Sequence, residues 1–252
     1  MNLPGILALY NAEVRARPIA RAGFTIENEG GLVCLTGPFR FVSAWPMAEN
    51  DLDAAAAAVV SRARRSGTPL FWRLFDHDNP AVLPDILTRH GLVPDPPGTL
   101  MVFDLERALD STPATTEVRR ATTPKDVDDY LAVMDAVFND DDAARMKTTY
   151  DALLDDPTFC LFTAYADGQP VAAARLETGP RRQFGALFGG GVRPAHRGQG
   201  LYRALVHARA AEARRLGLRY LTVEALETSR PILERMGFIA LAQETTWMLP
   251  AA

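Results

Sequence analysis

Apolar and polar positions alternate along the chain in two registers, one of period two and one of helical period. In the second half, Val127, Tyr130, Leu131, Met134 and Phe138 recur at helical spacing. They follow Thr123-Pro124-x-Asp126, which offers a Thr cap, a proline in the first turn and an acid at the third position. A second helix is expected to start at the polar cluster 139–142 and run to 154. Strand-like runs at 159–166 and 170–177 flank Asp167-Gly168, a strong hairpin signal. Further strands are expected at 117–121, 183–192, 218–225 and 238–248. Leu201, Leu205, Ala208, Ala211 and Leu216 mark a long helix, and 229–236 a short one. The order is β-α-α-β-β-β-α-β-α-β.

The first half reads as a helix over 5–16, strands at 23–26, 32–34 and 39–44, and a helix over 51–65 capped by Asn50. A strand at 70–75, a helix over 80–90 stopped by Gly91, and a strand at 100–105 complete it. This half echoes the other. Ala63-Arg64-Arg65-Ser66-Gly67 returns as Ala213-Arg214-Arg215-Leu216-Gly217, and Ile86-Leu87-x-Arg89-x-Gly91 returns as Ile232-Leu233-x-Arg235-x-Gly237. A tandem duplication accounts for both repeats. The polar stretch 107–117 reads as the linker, dividing the chain into domains 1–108 and 115–252.

At 252 residues the chain has room for two such domains, and 48% hydrophobic with 23% charged residues is ordinary globular composition. The net charge of −4 argues against a general nucleic-acid binder. Cys34 and Cys160 form neither a disulfide framework nor a metal spacing, and read as buried small hydrophobes. His77, His90 and His207 have no metal spacing either, so no metal site is expected. The start MNLPGILALYNAEVRAR does not read as a signal peptide, and no apolar run reaches membrane-spanning length. The expectation is a cytoplasmic protein without a membrane or nucleic-acid partner.

Candidate chemistry concentrates in one stretch, FGALFGGGVRPAHRGQGLYRAL, residues 184–205. A strand, a glycine- and arginine-rich turn and a helix in that order make an anion site. The first helical N–H groups lack intrahelical partners, and the dipole adds positive charge there. Gly198 and Gly200 let the backbone close on a phosphate, and Arg197 adds a guanidinium fork. The spacing fits neither the dinucleotide-binding G-x-G-x-x-G nor the phosphate loop ending in Gly-Lys-Ser/Thr.

Val192-x-Pro194-x-x-Arg197-Gly198-x-Gly200-Leu201 resembles the acetyl-CoA loop of the GCN5-related N-acetyltransferases, the GNAT family. Gly237-Phe238 at a helix end resembles it too. The family pattern has Gly or Ala where this chain has Tyr202. The resemblance covers 115–249 well and 1–107 weakly. It implies an α/β (α+β) acyltransferase fold, a mixed central sheet flanked by helices, in two tandem GNAT-like domains. It also implies acetyl-CoA as co-substrate, an amine acceptor and no metal, and leaves a homodimer open. Gly190, Gly191 and Val192 would meet the pantetheine arm, and Arg197, Gly198, Gln199, Gly200, Leu201 and Tyr202 the diphosphate.

The implied activity is transfer of an acetyl group to a primary amine of a small molecule. Protein N-terminal or lysine acetylation and non-catalytic acyl-CoA binding are the alternatives. Glu224 and Glu177 are the candidate bases; each reads equally well as a solvent-facing strand carboxylate, and a water relay is the third option. The family's Tyr acid is replaced by Leu233, leaving Ser229 or Tyr202 as substitutes. His196 either contacts phosphate or faces solvent. Trp45 and Trp72 read as core or as pocket aromatics between the halves. The acidic residues 139–142 read as helix-end solvation or as a site for a cationic acceptor. The corresponding loop of the first copy, VSAWPMAENDLD, has no arginine or glycine and three carboxylates, so that half is expected to be a structural one that binds no CoA in this way.

Overall fold

The computed structural model describes residues 1–21, 23–78, 81–109, 116–138 and 143–250. The acidic segment 139–142, Pro80 at the expected start of a helix, and most of the expected linker lie outside the described residues. The chain forms two compact units, Met1–Leu100 with Ala240–Ala252, and Met101–Ile239. The divide between these units falls at 100/101, and the last strand groups with the first unit.

The first unit contains α1 (Leu3–Tyr10), a π-helical turn (Asn11–Arg15), β1 (Thr25–Glu29), β2 (Leu32–Thr36), β3 (Arg40–Ala44) and α2 (Glu49–Ser66). It continues with β4 (Leu70–Phe75), α3 (Leu83–Arg89), the short β5 (Val93–Pro94) and, from the chain's end, β12 (Ile239–Leu249). Strands β1, β2 and β3 are antiparallel, β3 and β4 parallel, and β12 runs antiparallel to β4 from Glu244↔Phe75 to Leu249↔Leu70. Ala48, not Asn50, occupies the N-cap of α2, and its side chain caps nothing. Leu32, Val42, Leu52, Leu70, Trp72 and Leu87 form the core, to which β12 adds Trp247.

The second unit contains β6 (Gly98–Asp104), β7 (Glu117–Arg120), α4 (Pro124–Phe138), α5 (Ala143–Ala152), β8 (Phe159–Ala166), β9 (Gln169–Glu177) and β10 (Phe184–Val192). A 3₁₀ turn (Pro194–His196), α6 (Leu201–Arg215), β11 (Tyr220–Ala225) and α7 (Arg230–Arg235) follow. Its strands lie in the order β6-β11-β10-β9-β8-β7. Leu201, Leu205, Val206 and Ala210 of α6 join Leu221 and Leu233 in one core, and Tyr130 and Leu131 of α4 meet Tyr150, Phe159 and Ala173 in another. Full burial of such an aliphatic side chain is worth about 1.5–3 kcal/mol.

The repeated sequence fragments are the helix terminators. Gly67 and Gly217 are left-handed at φ 63° and 73°. Thr68 N–H then closes on Ala63 O at 3.1 Å, and Leu218 N–H on Ala213 O at 3.0 Å. Gly91 and Gly237, at φ 86° and 93°, repeat the device with Leu92 to Leu87 O and Phe238 to Leu233 O, both 3.0 Å. Each unit thus runs antiparallel strands, a helix, a parallel strand and a shorter helix.

Candidate active site

The site begins where two parallel strands part. β10 and β11 pair through Phe184↔Tyr220, Gly185↔Leu221 and Ala186↔Thr222, and the pairing ends there although both strands continue. On its other edge β10 bulges against β9 between Phe188↔Arg175 and Gly191↔Ala173. Gly189 makes the bulge with φ 56°, where a Cβ would stand 2.9 Å from Met134 Cε. A Cβ on Gly191 would stand 2.9 Å from Val137 Cγ1, so α4 approaches the strand too closely for any side chain there.

After Val192 the chain turns through eight residues, Arg193–Gly200, into α6. Arg193 pins the turn to α4 by donating from Nη2 to Ala132 O at 3.1 Å. Arg197 Nε donates to Val192 O at 3.2 Å, which leaves the outer face of its guanidinium available. Gly198 and Gly200 are left-handed at φ 77° and 80°, and Gly200 caps α6 without a side chain. The first-turn N–H groups of α6 therefore open into the space between the parted strands.

That space is a cleft of about 1250 Å³. Gly190, Gly191, Val192, Arg197, Gly198, Gly200, Leu201 and Tyr202 from the sequence reading all line it; Gln199 is exposed within the same turn and does not. Glu224 and Ser229 line it as well. Glu177 does not join them: its Oε1 accepts from Arg175 Nε at 2.5 Å. His196 is half-buried in the lining. Leu233, where a Tyr acid was sought, is fully buried in the core. Tyr202 and Ser229 face each other across the lining, and Ser229 Oγ donates to Leu226 O at 3.2 Å. Burial raises the Tyr202 phenol above its ordinary value, with Arg209 and the nearby Ser229 opposing.

Reading the sequence missed Arg203, Arg209 and Arg235. With Arg197 they give the lining four arginines against one carboxylate, Glu224. The missed signal for Arg209 is its place in the apolar stripe of α6, four residues after Leu205 and eight after Leu201. Among the described residues, no group of three or more His, Cys, Asp or Glu is placed to hold a metal ion. No helix among them is long and apolar enough to cross a membrane.

The equivalent region of the first unit is built differently. Four residues, Trp45–Ala48, separate β3 from α2. β3 and β4 part after Val42↔Trp72, and there Trp45 lies on Trp72 with ring centroids 5.6 Å apart. Arg15 stacks over Trp45 and Phe75 at 5.4 and 4.4 Å and forks onto Asp78 at 2.7 and 2.8 Å. Trp72 is wholly buried in this unit's own core, which excludes it from a pocket wall.

The acetyltransferase (GNAT) family profile matches residues 125–238, which contain the parted strands, the turn and α6. Residues 125–238 are a GNAT acetyltransferase domain. No curated protein matches the chain. Among solved structures, a GCN5-related N-acetyltransferase from Kribbella flavida superposes with a TM-score of 0.75 at 16% identity, covering 100% of this chain and 96% of that one. A tandem GNAT protein from the clavulanic acid biosynthesis pathway gives 0.63 at 15% identity, covering 100% and 88%. A GCN5-related N-acetyltransferase from Sphaerobacter thermophilus gives 0.60 at 14%, covering 91% and 77%. These likenesses extend the GNAT fold over both units, in the tandem arrangement that the internal repeats imply.

Proposed function

We propose that the GNAT domain binds acetyl-CoA in the β10–β11 cleft and transfers its acetyl group to a primary amine of a small molecule. The observation that carries this reading is the parting of the strands after Ala186↔Thr222, directly before the Arg197–Gly200 turn. The cleft fits the co-substrate: left-handed glycines, open helix N–H groups and an exposed arginine meet a diphosphate, and a bare glycine strand meets the pantetheine arm. When bound, acetyl-CoA supplies an activated thioester carbonyl.

The chain's own residues do the rest. Backbone groups of Gly190–Val192 hold the arm, and an N–H there polarises the carbonyl. Glu224 takes the proton that the amine loses as the C–N bond forms and the C–S bond breaks. The Tyr202–Ser229 pair stands in the lining to return a proton to sulfur, and a thiol of ordinary pKa near 8.5 leaves tolerably without one. Holding both reactants in one cleft supplies much of the acceleration. The first unit, with Trp45 and Arg15 stacked where its strands part, takes no CoA in this mode. Two free, buried cysteines support a reducing cytoplasm as the setting.

Thermal unfolding with and without acetyl-CoA tests the site. At one hundred times its dissociation constant the ligand stabilises by about 2.7 kcal/mol, roughly 5–10 °C for a domain of this size. Wild type should show that rise and Arg197→Glu should not; no rise in wild type overturns the reading. Leu233 favours one rival, an acyl-CoA-binding module without turnover. Thiol release with a panel of small amines separates the two, and peptide acceptors assayed in parallel separate small-molecule from protein acetylation.

A further inference from the structure

Arg209 is the least explained charge in the GNAT domain. It is 1% exposed, on the face of α6 that packs into the core, yet it forms part of the cleft floor. Its Nε donates to Leu205 O at 3.0 Å, and its Nη1 reaches Arg175 O at 3.4 Å. Both acceptors are neutral carbonyls, and among the described residues no carboxylate pairs with it. Its Nη2 faces Gly190: a Cβ added to that glycine would stand 3.7 Å from it.

A buried charge is ordinarily neutralised by a partner, because desolvation penalises the unpaired ion. Here burial pulls the guanidinium down to about 10, against the opposing influence of Tyr202 and Tyr130. It remains cationic at neutral pH. The domain thus holds a cation with unused donors at the level of the strand on which a thioester would lie. An anion supplied by the ligand completes it. The diphosphate does not serve, because it belongs at the N-terminus of α6, two helical turns away.

We infer that the cleft accepts, besides acetyl-CoA, a short dicarboxylic acyl-CoA of the malonyl or succinyl class, with the terminal carboxylate on Arg209. The inference rests on the CoA site proposed above. A guanidinium presents two parallel N–H groups to a carboxylate, and in a desolvated floor such a bond discriminates sharply against a neutral chain end. Gly190 itself has no side chain, the Tyr202 ring flanks the approach with Cε2 2.8 Å from where a Gly190 Cβ would stand, and Leu187, Val223 and Met236 line the surrounding cleft.

Calorimetric titration of the full chain with acetyl-, butyryl- and succinyl-CoA tests it. Butyryl and succinyl chains have the same number of carbons and differ in the terminal group. Succinyl-CoA is expected to bind wild type at least tenfold more tightly than butyryl-CoA. In Arg209→Met that ratio should fall to one or below, with acetyl-CoA binding retained; Arg209→Lys should keep part of the preference. If acetyl-CoA binds and succinyl-CoA binds no better than butyryl-CoA, the inference is wrong and the CoA site stands. If none of the thioesters binds, both fail. Should the Met variant not fold, the wild-type succinyl-to-butyryl ratio decides alone.

Discussion

Asp126 sets the start of α4. Its Oδ2 accepts from the N–H groups of Thr122 and Thr123 at 3.0 and 2.9 Å and from Thr123 Oγ1 at 2.8 Å. Asp126 N–H returns a bond to Thr123 Oγ1 at 3.3 Å, completing a capping box. Burial alone would raise this carboxyl, but the hydrogen bonds outweigh it and hold it below its ordinary value. A depressed folded-state value contributes stability above the unfolded pKa near 3.9, lost as pH falls through the folded one. Asp126→Asn is therefore expected to cost roughly 0.5–1 kcal/mol at pH 7. In denaturant titrations at several pH values the gap to wild type should narrow as pH falls below about 4; a constant gap would show that the charge contributes nothing. This cap was legible in the sequence because all its partners lie within five residues. Arg209 was not, because its meaning depends on Arg175 and Gly190, brought near only by the sheet.

The turn between β10 and α6 depends on backbone conformation more than on side chains. Gly200 at φ 80° is the N-cap of α6, and an L side chain there costs about 1–2 kcal/mol. Gly200→Ala should lower thermal stability by that amount and weaken acetyl-CoA binding by more than tenfold, since relieving the strain turns the first N–H groups away. A variant that is destabilised yet binds normally would separate the turn from the ligand. Helices and hairpins emerged from the sequence because their periodicity is local: Asp167-Gly168 does form the β8–β9 turn, at φ 49° and 74°. The points at which strands part did not, since nothing in Ala186 or Val42 announces where a neighbouring strand stops pairing. The two-residue β5 was missed for the same reason, its partner β12 lying some 150 residues away.

At the scale of the molecule the tryptophans report on one unit. Trp45, Trp72 and Trp247 all belong to the unit formed by Met1–Leu100 and Ala240–Ala252. Trp247, 8% exposed on β12, is the last strand's contribution to that core. Trp247→Ala should cost about 3–5 kcal/mol. The loss should appear in the unfolding transition followed by fluorescence, while the transition stabilised by acetyl-CoA and followed by circular dichroism stays within a degree or two. If both fall together, the two units unfold as one cooperative body.

The exchange of the last strand also fixes an order of events during synthesis. The ribosome makes residues 1–100 first, yet their sheet lacks the strand beside β4 until residues 240–249 have been made. Residues 101–239 are complete before then. The half begun first is thus the half finished last, and its unpaired β4 edge stays open to neighbouring nascent chains throughout the interval.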